Sequence, residues 1–191
     1  ASKEYDGTAL TVPTYTITYG EDRGEATANE DGTYSYKLST NDVITITPAE
    51  SATVTHVAEG TVKNAFSYTL ENAEYYSDVT NTEGDLSITV ATLTVTTESA
   101  EKAYDGTALK ADGTVTGYKN SETATFTVTG SQTAVGESTN SYTLVFDQSA
   151  VSTDYTVDED LGTLKVTEDK TKLTIVSATA SKEYDGTALD R

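Results

Sequence analysis

The sequence contains no cysteine, methionine or tryptophan, only two prolines, and a single histidine, His56. Without cysteine it can form neither a disulfide nor a thiolate nucleophile. Its 12 basic residues stand against 31 acidic ones, a net charge of −19, which excludes binding to nucleic-acid phosphates and opposes anionic membrane surfaces. No apolar run approaches the roughly 18 residues of a membrane-spanning helix. We therefore expect no nucleic-acid partner and no membrane insertion.

The sequence lacks the residues that most hydrolytic sites need. A serine nucleophile requires a neighbouring base, and the only histidine lies in Thr53-Val54-Thr55-His56-Val57, which we interpret as a surface strand. Sugar-cleaving sites usually offer an aromatic platform, and tryptophan is absent. We predict no enzymatic activity, no catalytic residues and no required cofactor.

About a fifth of the residues are threonines, and many of them alternate with apolar residues, as in Thr92-Leu93-Thr94-Val95-Thr96. Alternation with period two and β-branched residues indicates strands with one buried face. We predict an all-β protein made of tandem immunoglobulin-like β-sandwich modules in an elongated array, with β-grasp-like modules as the alternative. The second module should have strands near 92–97, 114–118, 123–129, 132–135, 141–147, 154–158 and 161–167. Its core should contain Leu93, Val95, Ala124, Phe126, Val128, Tyr142, Leu144, Phe146, Leu164 and Val166.

One ten-residue phrase occurs three times: ASKEYDGTAL from Ala1, AEKAYDGTAL from Ala100 and ASKEYDGTAL again from Ala180. Self-similarity at a long period indicates an array of modules. We divide the chain into a first module at 1–90, a second at 91–170, and the start of a third at 171–191. The first module carries extra residues at about 14–38, which we interpret as an added hairpin.

The apolar alternation changes phase at each module boundary. Leu86 and Ile88 occupy even positions, whereas Leu93 and Val95 occupy odd ones, with almost no sequence between them. A strand that reverses its buried face is leaving one core and entering the next, so we expect short, stiff joints near 90–92 and 168–171. The first module then lacks its opening strand, and the tail at 171–176 is the opening strand of a third module. We accordingly expect the chain to be a segment of a longer protein.

The repeated phrase contains a strong turn signal, Asp-Gly, in which glycine accepts a positive φ and aspartate can bond to its own backbone. We predict a structural corner in each copy, with the tyrosine ring packed under the turn and its hydroxyl bonded to nearby backbone. The corner residues are Tyr5, Asp6, Gly7, Thr8, Tyr104, Asp105, Gly106, Thr107, Tyr184, Asp185, Gly186 and Thr187.

The second module resembles the YDG-type repeats of bacterial surface proteins, which are similar to the MBG group of adhesin stalk modules. The stretches that carry the resemblance are 102–107, 128–136, 154–156 and 162–164. The first module departs from the pattern at Pro48-Ala49-Glu50-Ser51 and in the added hairpin. The resemblance implies a secreted, extracellular protein of a bacterial cell surface, attached to the cell wall, with neighbouring repeats of the same protein as its partners.

Two kinds of special site deserve weighing. Loops rich in carboxylates could hold calcium, with Asp31, Asp158 and Asp160 as candidate ligands, although no known calcium-loop spacing occurs. An internal isopeptide bond needs a lysine, an asparagine or aspartate, and a catalytic acid brought together in the core, and Lys3 recurs as Lys102 while Asn64 recurs as Asn140. A lysine before a turn is more often exposed, with its stem packed flat.

These observations favour a structural stalk segment that spaces a distal adhesive region from the cell wall. A first alternative is a module that binds host glycan or matrix protein through the added hairpin of the first module. A second alternative is a self-assembling fibre element, in which the strand at 171–176 completes the first module of a neighbouring chain.

Overall fold

The computed structural model describes residues 1–189, and in that range it contains seventeen strands and three short 3₁₀ turns. No helix in this range is long and apolar enough to cross a membrane. The 3₁₀ turns are Val57–Glu59, Ala73–Tyr75 and Ser152–Asp154. The strands are β1 Ser2–Glu4, β2 Thr16–Tyr19, β3 Asp22–Glu25, β4 Thr27–Ala28, β5 Tyr34–Lys37, β6 Val43–Pro48, β7 Val62–Asn64, β8 Phe66–Leu70, β9 Gly84–Thr89, β10 Ala91–Thr97, β11 Ala100–Ala103, β12 Gly113–Thr116, β13 Thr125–Val128, β14 Gly136–Thr139, β15 Tyr142–Val145, β16 Tyr155–Asp160 and β17 Thr163–Thr167.

The prediction of an all-β chain is confirmed, and β10 shows why the alternation forms strands. Ala91, Leu93 and Val95 are fully buried, whereas Thr92, which lies between Ala91 and Leu93, is exposed. Threonine suits the outer face because it is β-branched and polar at once. Leu164 and Val166 of β17 alternate in the same way and are equally buried.

The two modules repeat one three-stranded sheet. In the first module β9 pairs in parallel with β1 and antiparallel with β7. In the second module β17 pairs in parallel with β11 and antiparallel with β14. The antiparallel pair of β6 and β8 likewise has its counterpart in β13 and β15.

The modules differ in a second sheet, which has β10 as its central strand in the second module. In the second module β10 lies between β12, which is antiparallel to it, and β16, which is parallel. In the first module, β2 pairs only with β3 within residues 1–189, and residues 76–83 belong to no strand there. An open groove separates these two elements.

Three local expectations differ from the structure. Residues 132–135 form no strand beyond an isolated bridge from Gln132 to Leu109, and the strand starts instead at Gly136 as β14. The unpredicted β11, Ala-Glu-Lys-Ala, is a strand because β17 beside it supplies the pairing. Residues 14–38 contain two hairpins where the sequence analysis expected one, because β2 turns back at once into β3 and β4 then pairs with β5.

The tail also differs from its expected form. Residues 171–176 form no strand, and Leu173 and Ile175 are 84% and 86% exposed. The physical reason is that no neighbouring strand offers them backbone partners, and an isolated strand is not stable in water. Two residues of the expected third module, 190–191, lie outside the described range.

One buried cluster runs across the joint between the modules. It contains Leu86 and Ile88 of β9 together with Ala91 and Leu93 of β10, and Tyr5 from the first repeated phrase packs into it. Only Val90 separates the two strands. The joint therefore has a continuous apolar interior.

Candidate functional site

The repeated phrase forms the same turn in all three copies. Gly7, Gly106 and Gly186 have φ values of 77°, 79° and 78°, the left-handed region that glycine adopts without strain. The residue two positions before each tyrosine is a lysine whose Nζ bonds the turn aspartate, at 2.8 Å, 2.7 Å and 2.8 Å along the chain. The backbone N–H of the turn threonine also donates to that aspartate, at 2.9 Å, 2.9 Å and 3.0 Å. The turn itself is thus independent of its surroundings.

These hydrogen bonds stabilise the ionised form of each turn aspartate. The bond from Lys102 and those from Thr107 lower the pKa of Asp105 to about 2. The corresponding bonds from Lys3 and Thr8 lower the pKa of Asp6, and those from Lys182 and Thr187 lower the pKa of Asp185. The carboxylates remain charged in mildly acidic solution, so the turn keeps its ion pair there.

The tyrosines of the three copies differ sharply in environment. Tyr5 is 1% exposed, Tyr104 is 46% exposed and Tyr184 is 96% exposed. The predicted structural corner required a hydrogen bond from the Tyr5 hydroxyl to nearby backbone, and this prediction is wrong. The Tyr5 hydroxyl donates instead to Glu122 of the second module. The tyrosine is buried where a following module covers it, and this contact marks the joint as the candidate functional site.

Glu122 is the centre of a polar network on the second module's side of the joint. Its Oε1 accepts the bond from Tyr5, and its Oε2 accepts one from the Tyr155 hydroxyl at 2.7 Å. The rings of the two tyrosines meet edge to face, with centroids 5.5 Å apart. Burial, and then the bond to Glu122, raises the pKa of Tyr155 to about 12 and raises that of Tyr5 as well.

A loop of the second module completes the rim of the joint. Lys119 Nζ lies 2.9 Å from Glu4 Oε1, and its backbone N–H donates to the Tyr155 hydroxyl at 3.0 Å. Asn120 donates from Nδ2 to the carbonyl of Gly7 at 3.2 Å. A side chain on Gly7 would place its Cβ 2.3 Å from the Cβ of Asn120, so glycine is needed there for the close approach as well as for the turn.

His56 and Asp154 bridge the two modules. His56 Nδ1 lies 2.6 Å from Asp154 Oδ2, and the backbone N–H of Val57 donates to Oδ1 at 2.7 Å. The Asp154 side chain is fully buried, whereas that of His56 is 43% exposed. The hydrogen bond to Asp154 raises the pKa of His56. This pair can therefore hold a proton between the modules in mildly acidic solution.

His56 does not lie in a strand, contrary to the sequence-based interpretation. It precedes the 3₁₀ turn Val57–Glu59, and Glu59 Oε1 accepts hydrogen bonds from the backbone N–H groups of Thr55 and His56 at 2.8 Å and 2.6 Å. Asp154 ends a second 3₁₀ turn in the other module. The sequence signal was that His56 has no counterpart in the second module, as expected for a residue that makes a contact between the modules.

The lysines and asparagines weighed for an isopeptide bond have separate partners. Lys3 and Lys102 are held by the aspartates of their turns. Asn64 donates to the carbonyl of Val12 at 2.8 Å, and buried Asn140 donates to those of Glu98 and Ala111 at 3.0 Å and 3.2 Å. No hydrogen bond joins either lysine to either asparagine. Each asparagine thus holds, by a hydrogen bond, the segment that follows its corner, at Val12 and at Ala111.

The residues weighed as calcium ligands lie in different modules. Asp31 accepts two bonds from Thr33 in the turn before β5, at 3.0 Å and 2.6 Å. Asp158 and Asp160 are exposed on β16. Within residues 1–189, no three histidine, aspartate or glutamate side chains lie close enough to share a metal ion.

No protein-family model, no curated protein and no solved structure matches this chain.

Proposed function

We propose that the chain is a structural stalk segment of a bacterial surface adhesin, which holds a distal adhesive region away from the cell wall. The joint is the observation that carries this proposal. A spacer needs modules that cannot swing freely, and two domains joined by a flexible linker move relative to each other by default.

The contacts at the joint support a fixed orientation. Only Val90 separates β9 from β10, and the buried Asp154 carboxylate accepts two bonds from the other module. Opening the joint would expose the buried ring of Tyr5 to water, at a cost of about 2 kcal/mol. For the finer architecture, we propose tandem sandwich modules of immunoglobulin-like size. The parallel pairings of β1 with β9, β10 with β16 and β11 with β17 are a departure from a purely antiparallel sandwich.

A distance measurement between the modules tests the proposal, and the absence of cysteine makes site-specific spin labelling simple. Ser67→Cys in β8 and Thr143→Cys in β15 place one label on an exposed position of equivalent strands. We expect one narrow distance distribution by electron paramagnetic resonance, and an elongated particle by small-angle scattering. A broad distribution or a compact globule would contradict the spacer function.

Two controls complete the experiment. Six Gly/Ser residues inserted between Thr89 and Val90 should broaden the distribution, because they separate the two strands at the joint. The same insertion after the exposed Asp147 should leave it narrow. Binding of the unlabelled chain to an array of host glycans and matrix proteins would favour the adhesive alternative instead.

A further inference from the structure

Strand β6 of the first module is paired on both of its edges, by β5 and by β8, which are both antiparallel to it. Its counterpart in the second module is β13, which pairs with β15 as β6 pairs with β8. In the described part of the chain, β13 pairs with β15 alone. β12 comes near β13, but it is hydrogen-bonded to β10 in another sheet. One edge of β13 thus has no strand where the first module has β5.

This edge of β13 offers backbone hydrogen-bonding groups. The N–H of Thr129 donates to the carbonyl of Ser141 in the strand beside it, and along an antiparallel pair every second residue makes such bonds. The residues between them, Phe126 and Val128, therefore direct their N–H and carbonyl groups to the other side, away from β15. In the first module, β5 is hydrogen-bonded to the equivalent groups of β6.

The edge of β13 also carries no charge. From Thr123 to Gly136 the sequence has no acidic or basic residue, whereas β11, β14 and β16, which lie at other sheet edges of this module, contain charged residues. Charged side chains are a common means by which edge strands avoid pairing with other chains. A net charge of −19 makes copies of the molecule repel each other, so an uncharged edge is where two copies can approach.

The first module shows which side chains suit the position beside such an edge. Both aromatic residues of β5, Tyr34 and Tyr36, lie opposite isoleucines of β6. An aromatic ring opposite a β-branched residue is a favourable cross-strand pair. β13 contains one residue of each kind, Phe126 and Val128, on its half-buried face. It can therefore form the same kind of pair with a second copy of itself.

We propose that two copies of the chain pair through β13, antiparallel to each other and related by a two-fold axis at Thr127. Phe126 of each copy lies opposite Val128 of the other, and these residues exchange backbone hydrogen bonds. The Thr127 side chains, which are on the exposed face of the strand, lie directly opposite each other. The result is one four-stranded sheet in the order β15, β13, β13, β15 and a closed dimer.

The two copies in this dimer run in opposite directions. Glu122, which precedes β13, lies at the joint, so β13 leads away from the joint, and its antiparallel partner leads toward it. Chains attached to two facing surfaces can meet in this way, whereas neighbours on one surface run in the same direction. This last consequence rests on the spacer function, but the pairing itself does not.

Cross-linking tests the register, because the chain has no cysteine of its own. Residues opposite each other at a non-hydrogen-bonded position have Cα atoms about 4.5 Å apart, a distance that a disulfide can bridge. Under oxidising conditions, Thr127→Cys should form a covalent dimer. Thr125→Cys, on the same exposed face, is the matched control and should stay monomeric on a denaturing gel, because the two copies of this residue would lie about 14 Å apart along the strands. Equal cross-linking of both variants, or none by Thr127→Cys, would overturn the proposal.

Sedimentation of the full chain over a range of concentrations gives an independent measurement. The wild type should form dimers as the concentration rises, whereas Thr127→Lys and Thr127→Glu should each remain monomeric, because like charges would lie directly opposite each other. A mixture of these two variants should dimerise again. Thr143→Lys, on the exposed face of the neighbouring strand β15, is the control and should behave as the wild type. A wild type that is monomeric at every concentration, or a dimer that survives both substitutions at Thr127, would overturn the pairing.

Discussion

The two modules share the sheet around β9 and β17 but differ in what completes them. The second module contains its central strand, β10, and covers the tyrosine of the preceding module; the first module has an open groove in place of that strand. Tyr5 is buried and Tyr104 is half exposed, although the turns that carry them are alike. The comparison teaches that the repeated phrase sets a local turn, while the neighbouring module decides what that turn does.

The largest difference in the free energy of unfolding should come from alanine substitutions of two leucines at equivalent positions. Leu93→Ala should lower the free energy of unfolding by about 3–4 kcal/mol, because it opens a cavity in a fully buried site. Leu173→Ala should leave it unchanged at a protein concentration where the chain is monomeric, since that side chain is 84% exposed. Urea denaturation of both variants measures the contrast, and equal losses would contradict it.

Alanine substitutions at two glycines of the repeated turn should also differ in their cost to stability. Gly106→Ala should lower the free energy of unfolding by about 1–2 kcal/mol, the strain of a positive φ. No steric cost adds to this, because the new Cβ would meet no atom within 4 Å. Gly7→Ala should cost about 1 kcal/mol more, since its Cβ also overlaps that of Asn120 across the joint. Thermal unfolding of the two variants gives the difference, which should disappear in an Asn120→Gly background.

The acidic partner of His56 should matter most at low pH. Asp154→Asn should cost about 2 kcal/mol at pH 5.5, because it weakens hydrogen bonds to a buried charged group. The pKa of His56 is raised in the folded chain, so its contribution is complete below the ordinary pKa of about 6.5 and declines as the pH rises through the raised value.

The cost of Asp154→Asn should therefore be smaller at pH 8.5 than at pH 5.5, as measured by urea denaturation at both values. Asp85→Asn is the control, because its ion pair with Lys63 is largely exposed on both sides and should contribute little at either pH. A cost for Asp154→Asn that does not change with pH would contradict the charged pair.

A difference in stability of about the same size as that between the glycines should separate two tyrosine hydroxyls. Tyr5→Phe should cost about 1 kcal/mol, because it removes a hydrogen bond to Glu122 while leaving the buried ring in place. Tyr104→Phe removes a hydroxyl from a half-exposed ring and should have no measurable effect. Equal effects in denaturation would show that the joint adds nothing to the first tyrosine.

Alternation along single strands was enough to predict the buried face of β10, with Leu93 and Val95 inside, and the Asp-Gly pairs predicted the three turns. It could not predict β11, whose Ala-Glu-Lys-Ala sequence forms a strand only because β17 lies beside it. The pairing of His56 with Asp154 joins residues 98 positions apart, which no local pattern encodes. Tyr5 and Tyr104 have nearly the same local sequence, so the difference in their burial comes from the second module, which packs against Tyr5.

The parallel pairings determine how each module would respond to tension. The chain enters the second module at β10 and leaves it at β17, so pulling on both ends slides β10 and β11 along β16 and β17. Six and four residue pairs then bear the load together, whereas an antiparallel hairpin would open one pair at a time. The first module has three such pairs, between β1 and β9. In a single-molecule pulling experiment, we therefore expect the first module to yield at a lower force than the second.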